Sequence, residues 1–448
     1  MLHRKEQKNI INWINNGKNA LLIEGARQVG KTYLIRETLK EMNCDFIEIN
    51  FIREKYILDV LKSLDKGIDN FLNQLTLLTN HKFIKGKTVI FFDEIQEYKE
   101  ILTSIKFLVE DGSFKYILSG SLLGVELTNI KSAPIDFLNT IKMYPLTFKE
   151  FIINLGVSNQ TIDYLKSCYI NETEVDEVIH NKIMEIFKTY LIVGGMPDAV
   201  ASYIKNHDFN EIETIHKNII EQFKFDFTKY EQKNKLNLIK IYDLIPKELQ
   251  EQNKRFIMTD IEEKSRFNKY ENSFNWLIDT GVALPVHNIN EPRLPLALNY
   301  DSSLFKLFMS DIGLLTSIYG TATKFNILND HPTLNAGAIY ENIVAQELKT
   351  LNYELFYYNN KKQGELDFVI EHNESVLPIE VKSGKDYKRH NALNIVLINK
   401  DNGINTGIVF SKYNVSRIGK CLHLPIYMIM LLDNDLKLEF PKLDLSNL

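Results

Sequence analysis

Short apolar runs alternate with segments of helical spacing over the first 150 residues. The spaced segments predict helices, and the apolar runs predict strands over residues 20–24, 45–50, 88–92, 115–119 and 140–144. Strands that alternate with helices form parallel sheets covered on both faces. We therefore expect an α/β fold in which residues 1–150 form a doubly wound parallel sheet.

The alternation ends at Pro145, because proline cannot donate a hydrogen bond within a sheet. Helical spacing follows, and we predict a helical lid over residues 151–232. Within it, Gly194-Gly195-Met196-Pro197 interrupts the helices with turn-forming residues. This segment is either a tight turn between helices or a lid loop whose backbone approaches a ligand.

Helical stretches are predicted around Leu236–Leu249, Thr259–Lys264 and Arg266–Asp279. Because a strand near 282–286 follows them, they predict a winged-helix-like connector over residues 233–325. Lys264, Arg266 and Lys269 are placed where a recognition helix would meet phosphates. Glutamates are interleaved with these basic residues, at Glu262, Glu263 and Glu271. A solvated helix face is therefore favoured over a DNA-reading surface, and docking of a protein partner is equally allowed.

Mixed α and β patterns return after residue 326 and predict a separate C-terminal domain over residues 326–448. An amphipathic helix is predicted from Ala338 to Leu351, and strands over 353–358, 365–371 and 376–382.

Composition limits the possible function classes. The 448 residues carry 53 Lys and Arg against 58 Asp and Glu, a net charge of −5, so any contact with nucleic acid must come from a local patch. Three scattered cysteines without a C-x-x-C pair argue against zinc sites and disulfides. The charged N-terminus lacks an apolar signal region, and no run of eighteen apolar residues occurs. We expect a cytoplasmic multidomain protein without membrane partners.

The most specific motif is G-x-x-x-x-G-K-[ST], which directly follows the first predicted strand. It predicts a phosphate-binding loop made by Gly25, Ala26, Arg27, Gln28, Val29, Gly30, Lys31 and Thr32. Backbone N–H groups surround the phosphates, Lys31 reaches the β and γ oxygens, and the Thr32 hydroxyl ligates Mg²⁺. The predicted cofactors are therefore ATP and Mg²⁺.

Two acids follow the apolar run Thr88–Phe92, at the carboxyl end of a predicted buried strand. We interpret Asp93 as a second Mg²⁺ partner and Glu94 as the catalytic residue that polarises water. Ser119 ends another strand, where its hydroxyl could lie near the γ-phosphate or the water, although serine and glycine after a strand ordinarily form a turn.

A second group of polar residues lies on two C-terminal strands joined by a hairpin. Asp367, Glu380 and Lys382 match the spacing of the PD-(D/E)xK nuclease core, and Glu341 on the preceding helix supplies a further catalytic candidate. Asp367 and Glu380 are the predicted metal ligands of this group, because carboxylates hold Mg²⁺ and a lysine can orient water. The alternative is a hairpin that carries ordinary salt bridges.

Together these residues resemble the prokaryotic AAA+-type P-loop ATPases that carry a C-terminal nuclease-like domain of unknown function. The similarity extends over the phosphate loop, Asp93-Glu94-Ile95-Gln96, Leu118–Ser121, Met143–Phe148 and Gly194–Pro197. Further matches are Gly364–Asp367 and Glu380–Lys382. The resemblance implies ATPase activity, a restriction-endonuclease-like domain over 326–448, and possible homo-oligomers.

One segment departs from this family. Many relatives have a Gly-Arg pair about eight residues before the Tyr-Pro-Leu segment, and its arginine is a candidate trans-acting finger. This chain reads Ala133-Pro134-Ile135-Asp136-Phe137-Leu138 there. Arg53 or Arg27 is the alternative finger, or else hydrolysis is slow, since such fingers contribute about 10³ to 10⁵ in rate.

Three functions follow from the sequence. The first is a Mg²⁺-dependent ATPase whose nucleotide state repositions the connector and the nuclease-like module. The second is an ATP-dependent DNA nuclease, with DNA bound through the C-terminal or winged-helix region. The third is a non-catalytic, nucleotide-gated regulatory or adaptor protein.

Overall fold

The computed structural model describes residues 1–98, 100–121, 135–230, 234–251, 254–331 and 335–432. Its contacts group the chain into two compact units, each made of separate segments. Unit 1 contains Met1–Ser158, Ile186–Pro285 and Leu307–Leu334. Unit 2 contains Asn159–Glu185, Val286–Lys306 and Asn335–Leu448. The four domains expected from sequence stay predictions.

Strands occur in both units. In chain order they are β1 (Ala20–Glu24), β2 (Phe46–Asn50), β3 (Val89–Asp93), β4 (Lys115–Gly120), β5 (Leu138–Lys142), β6 (Ala283–Ile289), β7 (Tyr300–Met309), β8 (Phe356–Asn360), β9 (Gly364–His372), β10 (Ser375–Val381), β11 (Gly407–Ser411), β12 (Ser416–Ile418) and β13 (Cys421–Pro425).

The helices precede these strands or lie between them, in several places as a run of consecutive helices. Their bounds are Glu6–Asn16, Lys31–Glu41, Ile57–Lys62, Ile68–Thr79, Glu100–Asp111, Phe148–Asn154, Asn159–Asn171, Glu177–Val193, Pro197–Asn206, Phe209–Tyr230, Lys235–Gln250, Met258–Ile261, Glu271–Asp279, Ile312–Tyr319, Thr321–Leu328, Gly337–Thr350 and Asn391–Ile398. In the described part of the chain, none of these helices combines the length and apolarity needed to cross a membrane.

The sheet of unit 1 has the order β2-β3-β4-β1-β5, and all its strand pairs are parallel. Its central strands are mainly apolar and buried, as expected when helices cover both faces, and their polar residues lie at the strand ends. Ile49, Phe92 and Leu118 belong to the core on one face. The predicted α/β class and the doubly wound sheet are therefore confirmed.

The sheet of unit 2 has the order β12-β13-β11-β10-β9-β8-β6-β7. It is mixed, because β10 runs parallel to β11 but antiparallel to β9. Leu366, Val369 and Val409 pack with Leu393 and Val396 of the helix Asn391–Ile398 in its core. A second α/β sheet after the first domain is thus present as predicted.

The region expected to resemble a winged helix differs in detail from the sequence prediction. The helix expected from Arg266 begins only at Glu271, because residues 267–269 form a 3₁₀ turn. In the eight-stranded sheet β6 pairs with β8, and β7 is the outer strand next to β6. A winged-helix character for residues 233–325 stays a prediction.

Candidate functional site

The phosphate-binding loop leaves β1 in a conformation that needs glycine at its first position. Gly25 has φ of +149°, and a Cβ atom there would lie 2.2 Å from the carbonyl oxygen of Met143. Gly30 has φ of +91° and directly precedes the helix Lys31–Glu41. The N-terminal end of that helix, which favours anions, therefore faces the loop.

The Lys31 ammonium lies inside this loop. Its Nζ donates hydrogen bonds of 2.8 Å to the carbonyl oxygens of Gly25 and Ala26. Burial lowers the pKa of Lys31 to about 8, although the nearby carboxylates Glu94 and Asp93 partly oppose that shift. Lys31 is thus a buried cation whose pKa lies well below that of an exposed lysine.

Asp93, at the carboxyl end of β3, contacts the start of the helix Lys31–Glu41 and the carboxyl end of β4. Its Oδ1 accepts hydrogen bonds from Thr32 Oγ1 at 3.0 Å and from Ser119 Oγ at 2.5 Å. Burial raises the pKa of Asp93, against the hydrogen bonds from Ser119 and Thr32, which lower it. The structure therefore brings together Thr32, Asp93 and Ser119, the side chains that the sequence placed around Mg²⁺ and phosphate.

Asn50 completes the contacts of Asp93, and the sequence analysis missed it. Its Nδ2 donates to Asp93 Oδ2 at 2.9 Å, because Asn50 ends β2 in register with Asp93 at the end of β3. The sequence feature that could have indicated Asn50 is its position as a polar residue at the end of the strand predicted over residues 45–50. Both Asp93 oxygens are consequently held by side chains.

Glu94 lies beside this group in the left-handed region, with φ of +57°. Its Oε2 accepts a 2.5 Å hydrogen bond from Gln96 Nε2. Gln96 Oε1 in turn accepts a bond from the Ser121 backbone N–H at 3.4 Å. The segment Asp93–Gln96 therefore connects the end of β3 to the end of β4 through side chains.

Arg4 stabilises the phosphate-binding loop through hydrogen bonds, and nothing in the sequence pattern predicted this role. Its Nη1 donates to the Val29 carbonyl oxygen at 3.0 Å and its Nη2 to the Tyr144 carbonyl oxygen at 2.7 Å. Its Nε donates to Glu150 Oε1 at 3.1 Å. Glu150 also forms a capping box with Thr147 at the start of the helix Phe148–Asn154. One buried guanidinium thus joins the loop to the Tyr-Pro-Leu segment.

The two finger candidates have different surroundings. Arg27 Nη1 donates to Asp226 Oδ1 of the helix Phe209–Tyr230 at 2.5 Å, and it lines the cavity described below. Arg53 is exposed in the turn after β2. Ala133 and Pro134, where the family arginine was expected, lie outside the described residues.

A cavity of about 760 Å³ opens over the phosphate-binding loop. Its lining combines the polar groups above with Tyr33 and with residues of the helix Pro197–Asn206. The Gly-Gly-Met-Pro turn places Pro197 close to the loop, because a Cβ at Gly30 would lie 3.4 Å from Pro197 Cγ. The turn therefore joins two helices and also borders the cavity.

Asp311 holds that turn in place. Its Oδ2 accepts a 2.6 Å hydrogen bond from the Gly195 N–H, and its Oδ1 caps the helix Ile312–Tyr319 by accepting from the Leu314 N–H at 3.0 Å. Asp311 is completely buried, and burial raises its pKa to about 6 against the hydrogen bonds from the backbone.

The predicted C-terminal residues come together in unit 2. Lys382 Nζ lies 2.5 Å from Glu380 Oε1, and Asp367 Oδ2 accepts a 2.8 Å hydrogen bond from the Val381 N–H. The pKa of Glu380 is raised to about 8, chiefly by burial and then by the Asp367 carboxylate, while Lys382 opposes the shift. Glu341 is buried on its helix and also raises this pKa. The structure therefore brings Asp367, Glu380, Lys382 and Glu341 close together, and their catalytic and metal-binding roles stay predictions.

A further cation in this group was not predicted. Lys306 on β7 is fully buried, is ion-paired with Glu365 Oε1 at 2.5 Å, and lies 4.8 Å above the ring of Tyr357. Burial lowers its pKa, but Glu341, Glu365 and Asp367 outweigh burial and raise it. The available signal was a lysine within the apolar run Leu304–Phe308. Within the described ranges, no set of three or more His, Cys, Asp or Glu side chains forms a metal-binding cluster.

Three family models match the chain, each over less than half of it. Residues 17–152 match an AAA domain, residues 184–324 a domain of unknown function (DUF8612), and residues 336–427 another domain of unknown function (DUF4143). A comparison with curated proteins gave no match.

Several solved structures are similar at low identity. The Walker-type ATPase PABY2304 of Pyrococcus abyssi has 15% identity, with 71% of this chain and 96% of that one covered, at a TM-score of 0.43. The Thermotoga maritima RuvB Holliday junction branch migration motor has 14% identity, with coverage of 66% and 90% and a TM-score of 0.29. AMPPCP-bound DnaA from Aquifex aeolicus has 12% identity, with coverage of 62% and 89% and a TM-score of 0.25. The AAA-domain match and the parallel sheet with its phosphate-binding loop agree, and residues 17–152 are therefore similar to an AAA-type P-loop domain.

Proposed function

We propose that the chain is a Mg²⁺-dependent ATPase that hydrolyses ATP in the cavity over the phosphate-binding loop. The observation that carries the proposal is the contact of Asp93 with Thr32 and Ser119, which gathers hydroxyl and carboxylate oxygens beside the loop. Oxygen donors of this kind suit Mg²⁺, so Thr32 and Asp93 would hold the ion, which supplies charge neutralisation at the phosphates.

The remaining residues then have distinct roles. Lys31 exchanges its hydrogen bonds with the loop carbonyls for β and γ oxygens, and the loop N–H groups bind the same phosphates. Glu94, held by Gln96, orients the attacking water and receives its proton. The side chains of Tyr33, Ala201 and Ile204 line the outer part of the cavity, where the base would bind.

The test separates nucleotide binding from turnover. Glu94→Gln should retain binding of a fluorescent ATP analogue and lose phosphate release by about 10² to 10³, because a general base contributes that order of rate. Glu100→Gln makes the same chemical change at an exposed residue and should behave like wild type. Lys31→Ala should abolish binding. Unchanged ATP affinity in Lys31→Ala would refute the assignment, and tight binding without turnover in wild type would favour a nucleotide-gated adaptor.

We propose metal-dependent DNA cleavage as a second candidate, supported by the proximity of Asp367, Glu380 and Lys382. Within the described residues, Glu380 Oε2 is buried without a hydrogen-bond partner, which fits a carboxylate that awaits a cation. Incubation of plasmid DNA with Mg²⁺ or Mn²⁺ should give cleavage that Asp367→Ala removes. Cleavage that survives this substitution would indicate a contaminating nuclease.

A further inference from the structure

One edge of the sheet in unit 2 collects the ends of three strands. Because β10 is parallel to β11 and antiparallel to β9, the carboxyl ends of β10 and β11 lie beside the amino end of β9. Glu380 and Lys382 are at the end of β10, and the Lys382 N–H donates to the Phe410 carbonyl oxygen of β11 at 2.8 Å. We call this region of the sheet, at the carboxyl ends of β10 and β11 and the amino end of β9, the β10 edge.

Two tyrosines stack at the β10 edge. The rings of Tyr387 and Tyr413 are 4.1 Å apart between centroids and inclined by 21°, and both residues are half-buried. His423, which is fully buried, contacts Tyr387 edge-on at 5.7 Å, and the Tyr413 N–H donates to Ser411 Oγ at 3.2 Å. The aromatic pair is therefore fixed on the sheet and partly open to solvent.

Positive charge surrounds this pair. Lys388 Nζ lies 5.6 Å above the ring of Tyr387, and Lys412 Nζ lies 5.8 Å above that of Tyr413. Other exposed basic residues on the loops at this edge are Lys361, Lys362, Lys385 and Arg389. The acidic residues on these loops and strand ends are Asp386, Glu365, Asp367 and Glu380, of which Glu365 is ion-paired with Lys306 and Glu380 with Lys382. Since the whole chain has a net charge of −5, this concentration of positive charge is local.

We propose that the β10 edge binds single-stranded nucleic acid, with a base stacked on the Tyr387–Tyr413 pair and phosphates bound by the surrounding lysines. Aromatic rings flanked by cations are the combination that binds single strands with little sequence preference. Paired bases in a duplex already stack on each other and do not present a free face. The Asp and Glu side chains of an acidic peptide would use the lysines but carry no aromatic ring to stack on the tyrosines. The edge includes Glu380 and Lys382 of the second candidate function and so shares its site, but strand binding itself requires neither ATP hydrolysis nor cleavage.

The test measures binding of a fluorescent oligothymidine of about twenty nucleotides to the full chain, by anisotropy in EDTA so that no strand is cut. Binding should weaken as salt increases. The variant Tyr387→Ala/Tyr413→Ala should bind about tenfold more weakly, since each stacked base contributes on that order. Tyr387→Phe/Tyr413→Phe keeps the rings and should bind like wild type.

A lysine pair tests the surface without disturbing the core. Lys385→Ala/Lys388→Ala should weaken binding several-fold, whereas Lys166→Ala/Lys182→Ala removes the same charge from exposed helix positions of unit 2 and should not. The proposal is overturned if wild type does not bind, if both lysine pairs lose affinity equally, or if the ring-deleted variant remains folded and binds normally. It is also overturned if duplex DNA or polyglutamate competes as well as unlabelled oligothymidine.

Discussion

Arg4 Nη1 donates a hydrogen bond to the carbonyl oxygen of Val29, 3.0 Å away, within the phosphate-binding loop. A buried cation near the start of the chain therefore fixes the conformation of a loop more than twenty residues later. The same side chain is ion-paired with Glu150, so its removal would leave an uncompensated buried carboxylate.

We predict that Arg4→Met lowers the free energy of unfolding by about 3 kcal/mol, because breaking a buried ion pair from one side costs that much. ATP-analogue binding should also weaken, since the Val29 carbonyl loses its donor. Denaturant unfolding and fluorescence titration measure the two effects. Arg36→Met is the matched control, because Arg36 pairs with Glu48 in a partly exposed position. Equal stability of the two variants would contradict the prediction.

Nucleotide affinity should depend on pH through Lys31. Its pKa of about 8 lies below the usual value, so the free protein loses this charge as the pH rises through 8. Phosphate binds the charged form, and affinity should therefore fall by up to about tenfold per pH unit above 8. Titrations at pH 7, 8 and 9 measure this, and Lys31→Arg, which keeps its charge, should give a flat profile if it binds. A flat wild-type profile would exclude this role.

Asp311→Ala should destabilise unit 1 by about 2 kcal/mol at pH 7, because the buried N–H groups of Gly195 and Leu314 lose their acceptor. The raised pKa of Asp311 means that the folded state holds its proton more tightly than the unfolded chain. Its contribution to stability is therefore greatest at low pH and declines as the pH rises through about 6.

Denaturant unfolding at several pH values tests both statements about Asp311. The gap between wild type and Asp311→Ala should widen from pH 7 to pH 5. Asp208→Ala is the control, because Asp208 accepts from the Asn210 N–H at an exposed helix start. A gap independent of pH would show that Asp311 ionises normally.

Lys306→Met should cost about 3 kcal/mol of folding free energy, because Glu365 and the other carboxylates near it lose their buried counter-charge. Lys182→Met removes a lysine whose ion pair with Glu185 is exposed, and it should change stability little. Thermal unfolding compares the two. If Lys306→Met were as stable as Lys182→Met, the buried ammonium would not balance this cluster.

The features that could be predicted from the sequence are those determined by residues close together along the chain. The apolar runs identified β1, β3 and β4, and the glycine spacing identified the loop, because strand burial and loop conformation are encoded locally. Arg4, Asn50, Asp311 and Lys306 were not predicted as site residues. Each acts through partners from distant segments, and an isolated charged or amide side chain gives no pattern from which such a partner can be found.

Unit 2 draws its sheet and helices from three stretches separated by parts of unit 1. In the segment Ile426–Leu431, the Tyr427 hydroxyl lies at hydrogen-bond distance, 3.0 Å, from His180 Nδ1. On β8, the Asn359 backbone N–H donates a hydrogen bond to Asn288 Oδ1 of β6 at 3.1 Å. A fragment starting at residue 326 would therefore expose strand β8 and the buried face of Tyr427. Attempts to express the nuclease-like region alone should yield aggregated material, and shortened versions of this protein need residues 159–185 and 286–306 retained.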